Sequence, residues 1–325
     1  MLNGHSKKVG GALIVTLAVL VVLAFPLVFS GYIQQFVIMI LLYTYLGSAW
    51  NILGGYAGQF SFGHSAFFGI GAYASTMLFY YGGVSPWIGM WVGVLLAAML
   101  GVFEGYISFK YGLRGIYFAM VTLAFAEVLR LLMTNWPLAG GSEGLSVPLR
   151  GSAPLLFQFQ TKIPYYYIIL VMVSATMYFI RWMEKSRLGL YLVAIRDDQD
   201  AAEALGIDTM KYKLIAIAIS SSLTALAGTF YVQIFMFIDP SIGFSSIMSI
   251  DILLRPVIGG EGTLWGALLG AIVMGGASEI TRSLLGGYSG AHLATYGIIL
   301  IVIVLFIPEG IIPWFNRFLK HSYRK

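Results

Sequence analysis

Residues 54–75 read GGYAGQFSFGHSAFFGIGAYAS, a glycine-rich stretch that separates two apolar runs. The first run extends from Tyr32 to Leu53, and the second ends at Tyr81. A helix that crosses a bilayer needs about 20 residues, so each run is long enough. Six glycines lie in the stretch, and glycine weakens a helix interior, so an uninterrupted helix is not expected at its start. The sequence therefore predicts two membrane helices joined by an interrupted segment.

The rest of the chain has the same apolar character. Of its 325 residues, 59% are hydrophobic and 10% are charged, whereas soluble domains carry about 25% charged residues. This composition excludes a soluble enzyme and leaves no room for a large domain outside the membrane. The absence of cysteine excludes disulfides, zinc–thiolate sites, iron–sulfur clusters and cysteine nucleophiles. The net charge of +5 does not imply nucleic acid, because polytopic membrane proteins have basic inner loops.

Ten apolar runs predict an all-α, polytopic membrane protein of about ten transmembrane helices, including interrupted or short segments. The first run, Val9 to Phe29, resembles a signal peptide in outline, but it is longer and no Ala-x-Ala site follows it. We interpret it as a retained first helix. The eighth run, Ser246 to Gly259, is too short to span as a plain helix. The runs not yet named are Trp87–Phe109, Gly115–Trp136, Tyr165–Trp182, Leu214–Phe237, Leu264–Leu285 and His292–Ile312.

The positions of Lys and Arg predict the orientation in the membrane. If both termini are cytoplasmic and ten crossings alternate, 14 of the 19 Lys and Arg lie on the inner side and two on the outer side. Such an excess in the inner loops is the usual pattern. The predicted parts are a cytoplasmic N-terminus (1–8), a first transmembrane part (9–182) with an outer loop (137–164), a cytoplasmic loop (183–213), a second transmembrane part (214–312) and a basic cytoplasmic tail (313–325).

Two glycine-rich interruptions, Gly54–Gly63 and Arg255–Gly262, fall in the two halves of the chain. Transporters often bind or pass substrate where helices are broken at membrane depth. Close helix packing is the alternative, since Gly-x-x-x-Gly spacing lets backbones approach. For His64, a hydrogen-bonding anchor is the alternative to a substrate contact. The candidate pathway residues are Gly55, Gln59, Ser61, Gly63, His64, Asp251, Arg255, Gly259 and Gly260. The Gly-x-x-x-Gly pairs are Gly54/Gly58, Gly89/Gly93, Gly101/Gly105 and Gly266/Gly270.

Charged residues inside apolar runs form three acid–base pairs with the acid first, three or four residues before the base. This spacing places both side chains on one helix face. A lone charge at the bilayer centre costs about 2.5–3.5 kcal/mol on insertion scales, so pairing or a wet cavity is expected. Glu104 lies near an inner helix end and is expected to reach the interface. The predicted pairs are Glu127/Arg130, Asp251/Arg255 and Glu279/Arg282.

The cytoplasmic stretch from Met183 to Lys213 carries 11 of the 33 charged residues. Asp197 or Asp198 can cap a helix start and Gly206 can end it, which predicts a short helix over about 198–205. Two turns of helix are not stable alone in water. The helix therefore needs a partner surface, either a cytoplasmic subunit or its own membrane domain. Its small apolar patch consists of Ala201, Ala204 and Leu205.

Sequence motifs typical of nucleotide binding and of metal-dependent catalysis are absent. No Gly-Lys dipeptide occurs, so there is no Walker A loop, and His-Glu-x-x-His is also absent. Only four histidines are present, so a histidine-based metal or catalytic cluster is not expected. No cofactor and no catalytic residues are predicted.

Five motifs together give the chain a resemblance to the M-type inner-membrane permeases of branched-chain amino-acid ABC importers (LivM type). The resemblance runs in order from about Gly31 to Pro313. The motifs are GGYAGQFSFGHSAFFGIGAY (Gly54–Tyr73), LRGIYFAMVTLAFAEVLRLL (Leu113–Leu132), GGSEGL (Gly140–Leu145), SRLGLYLVAIRDDQDAAEALGI (Ser186–Ile207) and GGEGTLWGALLGA (Gly259–Ala271).

The resemblance implies an alternating-access permease subunit in a bacterial or archaeal cytoplasmic (inner) membrane. Its implied partners are a second, H-type (LivH-like) permease, two ATP-binding subunits and an extracytoplasmic binding protein that delivers leucine, isoleucine or valine. It also implies that one segment docks on an ATPase subunit. This agrees with the prediction that the short helix of the charged loop needs a partner surface. That coupling segment is Ala201, Ala202, Glu203, Ala204, Leu205 and Gly206.

Three other functions stay open at this point. Related permeases move urea, short amides or other hydrophobic amino acids. A stand-alone secondary transporter or channel would need no ATPase partner. A membrane-embedded enzyme would need a convergent catalytic set, which we do not find.

Overall fold

The computed structural model describes residues 20–285, 297–298, 301, 305 and 310–322. The described chain is almost entirely helical. The helices are α1 (20–28), α2 (Tyr32–Asn51), α3 (His64–Gly82), α4 (Pro86–Lys110), α5 (Ile116–Thr134), α6 (Ile163–Glu184), α7 (Arg187–Asp197), α8 (Gln199–Ala204), α9 (Thr209–Phe235), α10 (Pro240–Gly243), α11 (Ser246–Gly259), α12 (Gly266–Leu285) and α13 (Ile311–Ser322). A π-helical turn (Ile52–Tyr56), short 3₁₀ turns and two strands, β1 (Leu145–Ser146) and β2 (Phe237–Ile238), complete the described elements.

Six described helical segments are long and apolar enough to cross a membrane. Helices α3 and α12 have the length of a span but are not among these six segments. The architecture is therefore all-α and polytopic, as predicted. Most of the first and tenth predicted runs lies outside the described residues. The six segments are Tyr32–Tyr56, Pro86–Lys110, Ile116–Thr134, Ile163–Glu184, Thr209–Phe235 and Pro240–Gly259.

Small residues hold α3, α4 and α9 together. On α4, Gly93 lies against the backbone of Gly71, and Gly101 lies against Ser221 of α9. A Cβ atom at either position would collide with the neighbouring helix. The backbones can approach closely because glycine has no side chain. The close-packing interpretation is confirmed for the spacings within α4. It also holds for α12, where Gly270 faces the Arg255 carbonyl of α11.

Glu104 corrects one expectation. It does not reach the interface: its side chain is fully buried, and neither carboxylate oxygen has a hydrogen-bond partner among the described residues. The reason is helical periodicity. Gly101, Glu104 and Gly105 share one face of α4, and that face is packed against α9.

The loop over residues 137–164 is fixed to the helical body. Strand β1 pairs antiparallel with β2, which directly follows α9, and Leu145 is the register partner of Ile238. Trp87 at the start of α4 stacks on Phe157 with ring centroids 4.0 Å apart. These contacts place the loop, the end of α9 and the start of α4 at the same end of the molecule.

Candidate functional site

The predicted interruption after α2 is present and spans the π-helical turn and a non-helical segment over 57–63. Gly58 adopts a positive φ of 66°. A Cβ atom there would collide with Arg196, and one on Gly63 would collide with the Thr122 backbone. Glycine is therefore required at both positions by close approach, and at Gly58 also by backbone conformation.

Hydrogen bonds fix the non-helical segment inside the protein. The Trp50 indole donates to the Ser61 carbonyl at 2.8 Å. The backbone N–H of Phe62 donates to the Thr122 hydroxyl at 2.9 Å. Gln59 is also buried and donates to the Ala57 carbonyl at 3.0 Å. The segment is thus held between α2 and α5, and its pathway residues are packed in this conformation.

His64 is a buried hydrogen-bonding anchor. Its Nε2 lies 2.7 Å from the Ser220 hydroxyl and its Nδ1 lies 3.1 Å from the Ser61 hydroxyl. The Ser220 hydroxyl donates to the Ala49 carbonyl at 2.7 Å, so it must accept from Nε2–H. This network assigns the neutral Nε2–H tautomer. A substrate contact by His64 stays a prediction, because the ring is fully buried.

The second interruption runs from α11 into α12. Here Gly260 and Gly262 have positive φ values of 126° and 67°. The Gly262 N–H donates to the Asn51 Oδ1 at 2.8 Å, and the Asn51 Nδ2 donates to the Thr263 carbonyl at 3.0 Å. A single buried asparagine therefore joins the two interruptions. We call the contact of Asn51 and Gly55 with Gly262 and Thr263 the glycine junction.

Sequence reasoning did not find Asn51. The only signal was a polar residue near the end of an apolar run, one turn before the first glycine pair. Its partners lie more than two hundred positions away, so no local pattern could have named them.

Arg196 connects the glycine junction to the charged loop over residues 183–213. Its Nη1 donates to the Gly55 carbonyl at 3.0 Å. The same nitrogen is the nearest atom to a Cβ placed on Gly262. Its Nε and Nη2 both lie 3.2 Å from one carboxylate oxygen of Asp197. One side chain of α7 thus reaches both interruptions.

The predicted short helix is present as α8. The Asp198 carboxylate caps it by accepting from the N–H groups of Asp200 and Ala201, both at 3.0 Å. At its end, Gly206 has a positive φ of 84°. The predicted start signal, Asp198, and the predicted end signal, Gly206, are both confirmed.

Polar contacts fix α8 to its surroundings. Arg114, in the loop between α4 and α5, pairs with Asp200 at 2.9 Å. The Glu203 carboxylate accepts from Thr209 at 2.6 Å and from Gln199 at 2.8 Å. These hydrogen bonds favour the ionised carboxylate and lower the pKa of Glu203.

The apolar patch predicted on α8 faces solvent. Leu205 is 82% exposed, and Ala201 and Ala204 are exposed beside it, whereas Ala202 is buried against the protein. A helix fixed at its base with an apolar, outward tip has the form of a docking element.

Two of the three predicted ion pairs form. Arg130 donates to Glu127 at 2.9 Å on the surface of α5. Arg255 lies 3.2 Å from the Asp251 carboxylate on α11 and also donates to the Asp251 carbonyl. Glu279 and Arg282 lie on α12, and their mutual pairing stays a prediction.

A cavity of about 220 Å³ lies between α2 and α12. Arg255 lies at one end of it, beside Tyr43. Glu279, Arg282 and Tyr32 lie at the other end, and the tyrosine is close enough to interact with both charged side chains.

Comparison with known proteins identifies the family of the chain. The model of the family described as "Branched-chain amino acid transport system / permease component" matches residues 32–307. The permease LivM of the high-affinity branched-chain amino acid transport system of Escherichia coli K12 is 28% identical over 94% of this chain and 76% of its own length.

Two further relatives extend the comparison. The permease LivH of the corresponding Salmonella typhimurium system is 25% identical over 83% of this chain and 91% of its own. The nucleoside ABC transporter permease NupC of Lactococcus lactis is 24% identical over 84% of this chain and 90% of its own. No solved structure matches the chain.

Proposed function

The chain belongs to the family of permease components of branched-chain amino acid transport systems, and from this membership we propose that it is one of two permease subunits of an ATP-driven importer of leucine, isoleucine and valine. It is a multi-pass integral membrane protein and a transport subunit, not an enzyme. The importer would lie in a bacterial or archaeal cytoplasmic membrane.

One structural observation supports the mechanism most strongly. The outward-facing α8 is covalently continuous with α7, and Arg196 of α7 hydrogen-bonds to the interrupted helix at Gly55. A push on α8 can therefore reach the glycine junction through a short, charged contact. Because the chain has no Walker A loop, the push would come from separate ATP-binding subunits docked on Ala201–Gly206.

Opening of the glycine junction would expose the pathway. Hydrogen bonds of Asn51 hold the two interruptions together in the present conformation. Their separation would free backbone groups at membrane depth, where broken helices can line a cavity. The proposed pathway residues are those predicted from the sequence: Gly55, Gln59, Ser61, Gly63, His64, Asp251, Arg255, Gly259 and Gly260.

Ten crossings with both termini cytoplasmic form part of this proposal. The Arg114–Asp200 pair brings the loop after α4 and the charged loop to one side, and both are inner in the ten-crossing topology. The pairing of β1 with β2 brings the 137–164 loop and the end of α9 to the other side, and both are outer. These two contacts and the Lys and Arg distribution support the alternation.

The complete importer would need three kinds of partner. A second, H-type permease would form the other half of the route, and two ATP-binding subunits would supply the energy. An extracytoplasmic binding protein would dock on the outer face, against the 137–164 loop. LivM and LivH are both relatives of this chain, which supports a pair of similar permeases.

A second candidate function is nucleoside import, favoured by the likeness to NupC over most of both chains. Urea, short amides and other hydrophobic amino acids are further substrates within the same transport mechanism. A stand-alone secondary transporter is the alternative mechanism, and it would need no partner at α8.

Uptake assays would test the proposal. A strain lacking this subunit would receive the wild-type gene, and uptake of labelled leucine, adenosine and urea would be compared. We expect leucine uptake alone to be restored. Restored uptake of adenosine or urea, without uptake of leucine, would contradict the assignment of branched-chain amino acids as substrates. Leucine flux through the purified chain alone in proteoliposomes would contradict the need for ATP-binding partners.

A further inference from the structure

The cavity between α2 and α12 has the size of a small organic ligand. Its volume is about 220 Å³, whereas a dry cavity of about 150 Å³ is enough to hold benzene. Apolar side chains of α2, namely Phe36, Met39 and Ile40, line its middle. They recur at helical spacing, so α2 presents one continuous apolar face to the cavity.

Arg255 gives the inner end of this cavity a buried positive charge. Its side chain is 3% exposed and stacks over the Tyr43 ring, with the guanidinium carbon 3.6 Å from the ring centroid. The guanidinium of Arg255 is a fork of several N–H donors, and Asp251 contacts only one of its nitrogens, Nη1. The buried Nε has no partner among the described residues. A buried donor without a partner is costly, and Arg255 lines the cavity, so a turn of its side chain that gives the Nε an acceptor there is favourable.

We propose that this cavity binds an amino acid substrate through its carboxylate, which Arg255 receives while the apolar side chain packs against Phe36, Met39 and Ile40. The inference rests on the proposed import function and adds the site and the chemical class of the ligand. A guanidinium fork matches the geometry of a carboxylate. Nucleosides, urea and short amides carry no carboxylate, so they cannot form the charged, bidentate pair with Arg255.

The outer end of the cavity fits an entrance for the same ligand. Glu279 and Arg282 give it one charge of each sign, and Gln35 and Tyr32 add uncharged polar groups. A zwitterion can form an ionic interaction with both signs, whereas a neutral nucleoside or urea has no ionic group for either.

Two glycines of α12 provide a matched pair of variants. A Cβ on Gly275 would point at Ile40, 3.0 Å away, and therefore into the cavity wall, whereas a Cβ on Gly276 would have no atom within 4 Å. Gly275→Leu should fill the cavity, and Gly276→Leu makes the same chemical change beside it. Asp251→Asn/Arg255→Leu removes the fork without leaving an unpaired buried charge, and Arg255→Lys keeps the charge without the fork.

The variants would be measured in the complete importer. We expect leucine uptake to fall at least about tenfold in Gly275→Leu and in the Asp251→Asn/Arg255→Leu variant. Arg255→Lys should give an intermediate rate, and Gly276→Leu should match the wild type. Thermal melting of each purified variant would establish that it is folded.

Photo-crosslinking would locate the ligand independently of the transport rate. A diazirine analogue of leucine should label peptides that contain Met39 or Gly275 in the wild-type complex. Excess L-leucine should compete, and L-leucinamide, which has no carboxylate, should not.

The outcomes separate the two proposals. If the wild type takes up leucine but the folded Gly275→Leu and double variants do so at the same rate, the cavity assignment is wrong and the importer stands. Labelling at other peptides, or equal competition by leucinamide, would likewise overturn the cavity. If the wild type takes up adenosine or urea and no leucine, both proposals are wrong.

Discussion

The Arg196 guanidinium donates a hydrogen bond to the backbone carbonyl of Gly55, 3.0 Å away and 141 positions earlier in the chain. Gly55 belongs to the π-helical turn that ends α2, and Arg196 lies in the last turn of α7. The contact therefore attaches the helix pair α7–α8 to the interrupted membrane helix. Loss of this contact should uncouple movement of α8 from movement of the interrupted helix.

Arg196→Ala should uncouple the importer. A hydrogen bond to a charged group contributes about 1.5–3 kcal/mol, so its loss should lower leucine uptake by about ten- to hundredfold. ATP hydrolysis by the assembled complex should persist, because α8 and its exposed patch are unchanged. Leucine uptake by Arg196→Lys should lie between that of Arg196→Ala and that of the wild type, since an ammonium cannot reproduce the fork that reaches both Gly55 and Asp197.

Arg187→Ala is the control for this variant, because it removes an exposed arginine from the first turn of the same helix. We expect wild-type uptake from it. If Arg196→Ala imports leucine at the wild-type rate, the contact with Gly55 does not carry the coupling.

Gly206→Val should weaken coupling through backbone strain. Gly206 has a φ of 84° and no atom within 4 Å of an added Cβ, so the penalty is conformational and not steric. A β-branched residue in this left-handed region costs about 1–2 kcal/mol. We expect reduced leucine uptake from a complex that still assembles and hydrolyses ATP, as measured by co-purification and phosphate release.

Two variants isolate the cause of the Gly206 effect. Gly206→Asn should keep most uptake, because asparagine tolerates the left-handed conformation. Gly83→Val imposes similar strain at a φ of 62° between α3 and α4, again without neighbours, and should leave coupling unchanged. Equal uptake by Gly206→Val and the wild type would contradict the role of this helix end.

Much of the fold follows from local patterns in the sequence. The eighth apolar run and α11 share the bounds Ser246 and Gly259. The prediction of α8 differed from the structure by one residue at each end, because a capping carboxylate and a left-handed glycine act on neighbouring backbone groups.

Contacts between distant parts of the chain could not be predicted in this way. Asn51 and Arg196 act on residues 211 and 141 positions away, and nothing in their neighbours marks those partners. The burial of Glu104 was missed for the same reason, since it depends on which face of α4 meets α9. The cavity beside Arg255 also needed the packing of three helices.

Asp251→Asn should destabilise the protein by leaving the Arg255 charge buried without its counter-ion. Removing one partner of a buried pair costs about 3–5 kcal/mol. In the Asp251→Asn/Arg255→Leu variant the unpaired charge is gone, so stability should return in part. The thermal midpoints of both single variants and the double variant in detergent complete the cycle. Additive losses of stability in the double variant would show that the two residues do not depend on each other.

Asn51→Ala should loosen the glycine junction. The substitution leaves the Gly262 N–H and the Thr263 carbonyl without their partner, and each buried unpaired group costs about 1–3 kcal/mol. Hydrogen–deuterium exchange should therefore accelerate at the Gly262 amide, together with a lower thermal midpoint. Asn51→Asp should keep the acceptor for Gly262 but set a carboxylate against the Thr263 carbonyl, so it should not restore stability. Asn135→Ala is the control, because that amide donates only to the Leu131 carbonyl of its own helix at the surface. If exchange at Gly262 is as slow in Asn51→Ala as in Asn135→Ala, Asn51 is not what holds the two interruptions together.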